Sequence, residues 1–168
     1  LLASSAASDV YKRQYVSRKL WTPMHAEESA LWSLDRKDGM EKAYCCFNSN
    51  ARDFARFGQL LLNNGQWDDR QLISPAYLAE ATSPDTRLVY KDLGKPNHCY
   101  GFQYWILDYK GMKIPYMRGI LGQYVFTLPE KNAVIVRLGH KRSDTYTADQ
   151  HYPDDINTWL DAAMDLLQ

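Results

Sequence analysis

The sequence carries no excess of either charge: 20 Lys and Arg stand against 20 Asp and Glu, and no Lys/Arg run occurs. That balance argues against nucleic acid or an anionic membrane surface as the main partner. Nor does it hold any apolar stretch near the roughly 20 residues needed to cross a bilayer, so no transmembrane segment is expected. Cysteine is sparse. The three present, Cys45, Cys46 and Cys99, are an odd count without the spacing of a zinc site or a disulfide framework. Adjacent cysteines rarely bridge each other, so these read as small buried apolar side chains, and the redox compartment stays open. The generic site signatures are missing as well: no GxSxG elbow, no HExxH, no GxxxxGK[ST] and no GxGxxG. His25, His98, His140 and His151 are scattered, with no carboxylate or second histidine at ligand spacing, so no metal site and no cofactor is expected. There is no internal repeat. What remains, in 168 residues that are 45% hydrophobic and 24% charged, is an ordinary globular composition sized for one domain or a large piece of one.

Leu1 to Ser8 are small and low in complexity, and Asp9-Val-Tyr-Lys-Arg-Gln14 follows. A secretory signal needs a basic start and then about 7–15 apolar residues, and neither is there. The segment has the look of translated sequencing-adaptor DNA. Residues 1–14 therefore read as a non-native leader, and residues 15–168 as the C-terminal portion of a longer protein.

From Tyr15 to Trp21 the pattern is that of a helix end, stopped soon after by Pro23. Residues 25–42 are mixed and charged, a loop with a short strand or turn around Ala30–Asp35. A strong helix signal comes next: Ser49 or Asn50 caps a helix from Ala51 to about Asn63, and Gly65 ends it. Its apolar face is Ala51, Phe54, Ala55, Gly58, Leu61 and Leu62, with Arg52, Asp53, Arg56 and Gln59 opposite. Ser74-Pro75 starts a second helix through Ala81. Beyond Pro84 the period changes to two, predicting strands at Tyr100–Leu107, Met112–Met117, Gln123–Leu128 and Ala133–Leu138, the last two an antiparallel hairpin through Pro129–Asn132. A closing helix from about Asp154 carries an apolar stripe of Ile156, Trp159, Leu160, Ala163 and Leu167. The class is α+β.

Residues alone stop there, but motifs go further. Asn48-Ser-Asn-Ala-Arg-Asp-Phe-Ala-Arg-Phe-Gly-Gln-Leu-Leu-Leu-Asn-Asn-Gly65, then Leu72-Ile-Ser-Pro75, resembles the serine β-lactamase-like hydrolases, a family of class C β-lactamases, DD-peptidases, family VIII esterases and 6-aminohexanoate-dimer hydrolases. Lys19-Leu-Trp-Thr-Pro-Met24, Arg118-Gly-Ile-Leu-Gly-Gln-Tyr124, Pro129-Glu-Lys-Asn132 and Val134-Ile-Val-Arg-Leu-Gly139 resemble further family segments. Ala30–Asp35 and Gly119–Gln123 look nearest the dimer-hydrolase and esterase branch.

The resemblance implies a β-lactamase/transpeptidase-like α+β fold and a serine hydrolase acting on a small-molecule amide or ester through an acyl-enzyme, without a cofactor. It makes a periplasmic or secreted location plausible, although the location is unknown without the native N-terminus. Such chemistry needs a serine three residues before an activating lysine, and no lysine here has one. The family's tyrosine motif would also lie upstream. The Lys-Thr-Gly element is matched by Met117-Arg118-Gly119, which makes the N–H of Ile120 an oxyanion-hole donor. Gly119 would admit close approach of substrate backbone. Arg118 has two readings, a bidentate hold on a substrate carboxylate or a solvated strand end. Trp32 lines the pocket or packs in the core, and Gln123 is a further pocket candidate. A non-catalytic binding or interaction module of the same fold is the alternative reading of the chain.

Overall fold

The computed structural model describes residues 12–42, 44–90, 94–147 and 151–167, and the set-aside positions 1–11 lie outside them. Residues 12–16 are helical and run into a π turn at Ser17–Trp21. Short strands β1 (Leu31–Trp32) and β2 (Phe47–Asn48) pair antiparallel, and helix α1 spans Ala51–Leu62. Small hairpins β3 (Gln66–Trp67)–β4 (Arg70–Gln71) and β5 (Val89–Tyr90)–β6 (Lys95–Pro96) flank helix α2 (Pro75–Ala81). The main sheet follows: β7 (Trp105–Tyr109), β8 (Met112–Arg118), β9 (Tyr124–Leu128) and β10 (Ala133–Arg137), antiparallel in the order β10-β9-β8-β7. Helix α3 (Asp155–Leu166) closes the chain. The fold is α+β, with a helix on each sheet face.

Register decides which residue goes to which layer, because successive side chains leave a strand on opposite sides. Leu107 faces Ile114, Tyr116 faces Phe126, and Phe126 faces Ile135. This row forms the main core, sealed by Ile156 and Leu160 of α3. The opposite row, with Val125 and Val134, receives α1 at Gly58. A Cβ there would collide with both methyls of Val134, so the glycine lets helix and sheet approach closely.

Asp53 departs from the expected pattern. Set with the exposed residues of α1 by its spacing, it is 0% exposed. Its carboxylate accepts the N–H groups of Glu27 and Glu28 (2.8 and 3.1 Å) and the Asn50 amide at 2.8 Å, with Arg56 3.4 Å away. Asn50 in turn caps the helix, its oxygen taking the Asp53 N–H at 2.8 Å. Arg56 is likewise only part-exposed, donating to the Met24 carbonyl and to Glu27. Burial works against charge on Asp53, but these donors and the arginine outweigh it and hold its carboxyl below the usual aspartate range.

Other boundaries also moved. The alternation from Tyr100 does not make one strand. Residues 101–104 turn instead, with Gln103 at φ 64° and the Phe102 N–H donating to the Ala81 carbonyl, so β7 starts at Trp105. Gly101 sits where a side chain would strike that same carbonyl. On α3, Trp159 is 42% exposed and Leu167 is also exposed, so neither belongs to the buried stripe. The Trp159 ring lies at the rim under the Arg137 guanidinium, 4.6 Å away. Cys45 and Cys46 are disulfide-bonded to each other, contrary to their reading as separate apolar side chains. Neighbouring side chains on extended backbone diverge, and a left-handed Cys46 (φ 72°) brings these together. Cys99 is a buried free thiol, its pKa raised by burial.

Two expectations follow. Asp53→Asn should cost roughly 2–4 kcal/mol at pH 7, the scale of losing bonds to a buried charge. Because the folded pKa is depressed, the carboxylate's contribution is present above the unfolded value of about 3.9 and fades as pH falls through the folded one. The gap between wild type and Asp53→Asn in urea unfolding should therefore narrow below about pH 4. Separately, Gly58→Ala should lose about 1–3 kcal/mol through overpacking despite the better helix propensity of alanine. Adding Val134→Ala should recover part of that loss, and simple additivity in the double variant would contradict the packing argument.

Candidate active site

Strand β8 outruns its neighbour. Trp105 pairs with Tyr116, and there β7 ends, so Met117 and Arg118 are bonded only to β9, opposite Val125 and Tyr124. Met117 points to the α1 side of the sheet with Val125, and Arg118 to the α3 side with Tyr124. The turn Gly119-Ile120-Leu121-Gly122 then carries the chain into β9. Met117, Arg118, Gly119, Ile120 and Gln123 thus meet at one strand end.

The backbone of this turn is almost fully committed. The Gly119 N–H donates to the Gln123 carbonyl at 2.7 Å, and the Gly122 N–H to the Gly119 carbonyl at 3.3 Å. Gln123 reaches back, its Oε1 accepting the Leu121 N–H at 3.1 Å while its Nε2 donates to the Gly139 carbonyl at 2.7 Å. The Ile120 carbonyl accepts Arg142 Nε at 3.0 Å, and the Gly122 carbonyl accepts Arg137 Nη1. By contrast, the Ile120 N–H has no hydrogen bond among the described residues, and the Ile120 side chain is 81% exposed. Gln123 is therefore a brace across the turn. The room that Gly119 leaves is filled by the Gln123 side chain rather than left open.

Arg118 is neither solvated nor loose. Its guanidinium lies 3.4 Å from the centre of the Trp105 ring, and Nη1 donates to the His151 carbonyl at 3.0 Å. Its other guanidinium nitrogens carry no hydrogen bond among the described residues. Beside it Tyr124 is buried, its hydroxyl without a hydrogen-bond partner among the described residues, and burial followed by the nearby Asp155 charge pushes its pKa up to about 12. Tyr116 is shifted the same way, mainly by burial, against the pull of Arg118. Both are neutral phenols at pH 7.

Trp32 stands elsewhere. Its indole N–H donates to the Cys45 carbonyl at 3.1 Å, its ring meets Phe47 edge-on at 4.8 Å, and Lys12 lies over it at 4.5 Å. Phe47 continues to Trp21 and Phe54, so these contacts fit the packing reading of Trp32. Lys12 and Arg13, within the stretch set aside as a leader, both pair with Glu41. Two surface clefts involve Arg13, Gln14, Ser17 and Arg18, and Tyr15, Arg18, Lys19, Arg70, Gln71 and Leu72, away from the turn. No group of residues able to hold a metal ion occurs among the described residues, and no described helix is long and apolar enough to cross a membrane.

No protein-family model matches the chain, and no curated protein sequence matches it. A solved structure does: "Putative 6-aminohexanoate-dimer hydrolase from Bacillus anthracis", at TM-score 0.65 and 26% identity over 90% of this chain. The fold is that of the β-lactamase-like hydrolases. The match covers 37% of that protein, so the chain spans well under half its length.

Arg137, Arg142 and the glycines that accommodate them were not among the residues picked out from the sequence. The only trace was an arginine ending an otherwise aliphatic strand, Val134-Ile-Val-Arg137, between two glycines that lie apart in sequence. If Gln123 braces the turn, Gln123→Ala should speed hydrogen exchange at the Leu121 amide at least tenfold and cost about 1–2 kcal/mol of stability, the net worth of one or two hydrogen bonds.

Proposed function

We propose that this chain is the C-terminal portion of a serine hydrolase that cleaves a small amide or ester through an acyl-enzyme. The likeness of fold to a hydrolase supports the class. The observation that carries the site is the Ile120 N–H, without a hydrogen bond among the described residues in a turn whose other three N–H groups, and the Gly119, Ile120 and Gly122 carbonyls, are bonded. An amide held in place and left without a partner is what an oxyanion hole requires, because a donor already in position spends no reorganisation when negative charge develops. The other donor, the nucleophile and its base would come from sequence not contained in this chain, which has no serine three residues before a lysine.

Met117 would form a soft apolar wall on the α1 side, where a β-lactamase or DD-peptidase presents a basic or polar residue to a substrate carboxylate. Arg118 projects to the other side and already spends its face on Trp105 and one N–H on His151. Its remaining donors leave it as a secondary hold on an anionic group, weaker than a free bidentate clamp. This distribution favours a neutral ester or linear amide over a β-lactam carboxylate. Trp32 and Gln123 act in this scheme through packing and bracing.

A fluorophosphonate probe should leave the 168-residue chain unlabelled and should label one serine in the longer protein specified with its upstream coding sequence. An unlabelled longer protein would mean a non-catalytic binding module instead. With a labelled protein, kcat/KM on p-nitrophenyl esters should exceed that on a cephalosporin, and Met117→Lys should move the ratio towards the cephalosporin. Cephalosporin turnover tenfold above ester turnover, about 1.4 kcal/mol in the transition state, would overturn the substrate assignment.

A further inference from the structure

Three arginines converge on the α3 side of the strand ends, and each is used to grip backbone. Arg118 holds the His151 carbonyl, Arg137 those of Gly122 and Lys141, and Arg142 those of Ile120 and Ser143. Of these, Arg142 is the one that touches the residue bearing the unengaged N–H. Its Nε–H to the Ile120 oxygen, at 3.0 Å, fixes the peptide plane that follows Ile120. On the other side the Gly119 N–H is fixed on Gln123 and the Gly119 oxygen on Gly122. The Gly119 oxygen shares its peptide plane with the Ile120 N–H, so that plane is held directly by the 3.3 Å Gly122 bond, and the next plane, across the Ile120 Cα, is held by Arg142 and by the Leu121 N–H on Gln123.

Arg142 is itself held. Its guanidinium lies over the Tyr146 ring at 5.0 Å, Nη1 bonds Ser143, and Tyr146 is bridged to Pro153 at the entry to α3. Asp154 adds a tie by accepting the Thr145 hydroxyl at 2.7 Å. The segment 142–146 is thus fastened to the start of the last helix and presents one charged donor to the turn.

We propose that Arg142 is a positioning residue: it acts through the Ile120 carbonyl to aim the Ile120 N–H, and it does not touch substrate. The proposal rests on the oxyanion reading above for its catalytic consequence, while the geometric part stands without it. A guanidinium suits the task because its donor direction is fixed in a plane, whereas a lysine ammonium rotates freely on a flexible stem. Removing the donor would leave the peptide that carries the N–H held by the long 3.3 Å Gly122 bond and, one plane on, by the Leu121 N–H on Gln123, in an exposed turn with a glycine on either side of Ile120-Leu121.

The test has two arms. In the 168-residue chain, NMR relaxation should show the Ile120 amide as rigid, with an order parameter near 0.85, and Arg142→Ala should drop it below about 0.6, while β9 and β10 are unchanged. An Ile120 amide equally ordered in both would overturn the proposal. If Arg142→Ala does not fold, Arg142→Lys should fold and show intermediate order. In the longer, serine-labelled hydrolase, Arg142→Ala should lower kcat by about 10- to 100-fold with KM within twofold, less than the 10²–10³ loss from deleting a donor outright. Millimolar guanidinium should restore part of that kcat. A raised KM with unchanged kcat would place Arg142 in substrate binding and overturn positioning. An absent serine label would defeat the hydrolase reading while leaving the NMR arm to decide the geometry.

Discussion

A single buried carboxylate ties the loop at Glu27 and Glu28 to the start of α1. Asp53 gathers the backbone N–H groups of Glu27 and Glu28, the Asn50 side chain and the Arg56 charge. Without it the loop after the π turn loses the bonds to its Glu27 and Glu28 N–H groups and is tied to α1 only through Arg56, which donates to the carbonyl of the fully buried Met24 and to Glu27. The helix so anchored is the one laid on the Val125–Val134 face of the sheet. Met117 lies on that same face of the sheet, opposite Val125. The charge is expensive to bury and is retained because its donors are already aligned by the helix start and the loop.

How much of this was legible depended on the range of the interaction. The four main strands and three helices announced themselves through period, caps and turn residues, all of them local. Asp53 was misplaced because helical spacing reports only the side of the helix, whereas the partners that justify its burial lie 25 residues away. The strand expected from Tyr100 failed for a similar reason: its alternation was sound, but the Ala81 carbonyl captured the Phe102 N–H and bent the chain. The vicinal disulfide needed a left-handed residue that cysteine rarely supplies, so composition alone argued against it.

The strand-end residues were found by motif likeness, but their physical roles were not. Gly119 and Gln123 looked like a space and a contact for substrate. In the fold one fills the other's space, and together they hold the turn's shape. Arg118, read either as a clamp on a substrate carboxylate or as a solvated strand end, lies over the Trp105 ring. Motif likeness pointed to a stretch of chain; only the hydrogen-bond accounting of each backbone group separates the donor left open from those already spent.

Arg137 threads its guanidinium between Gly122 and Gly139, and a side chain at either glycine would meet Nη1 of that arginine. Gly122 also sits at φ 82°, where a side chain would be strained even in open space. The three positions are thus one packing unit, although 15 residues separate the first glycine from the arginine that grips it. Shortening residue 137 would not by itself make room, because a side chain at Gly122 would also meet the Lys141 carbonyl and one at Gly139 the Gly122 carbonyl. Drift at these sites is therefore expected to be concerted.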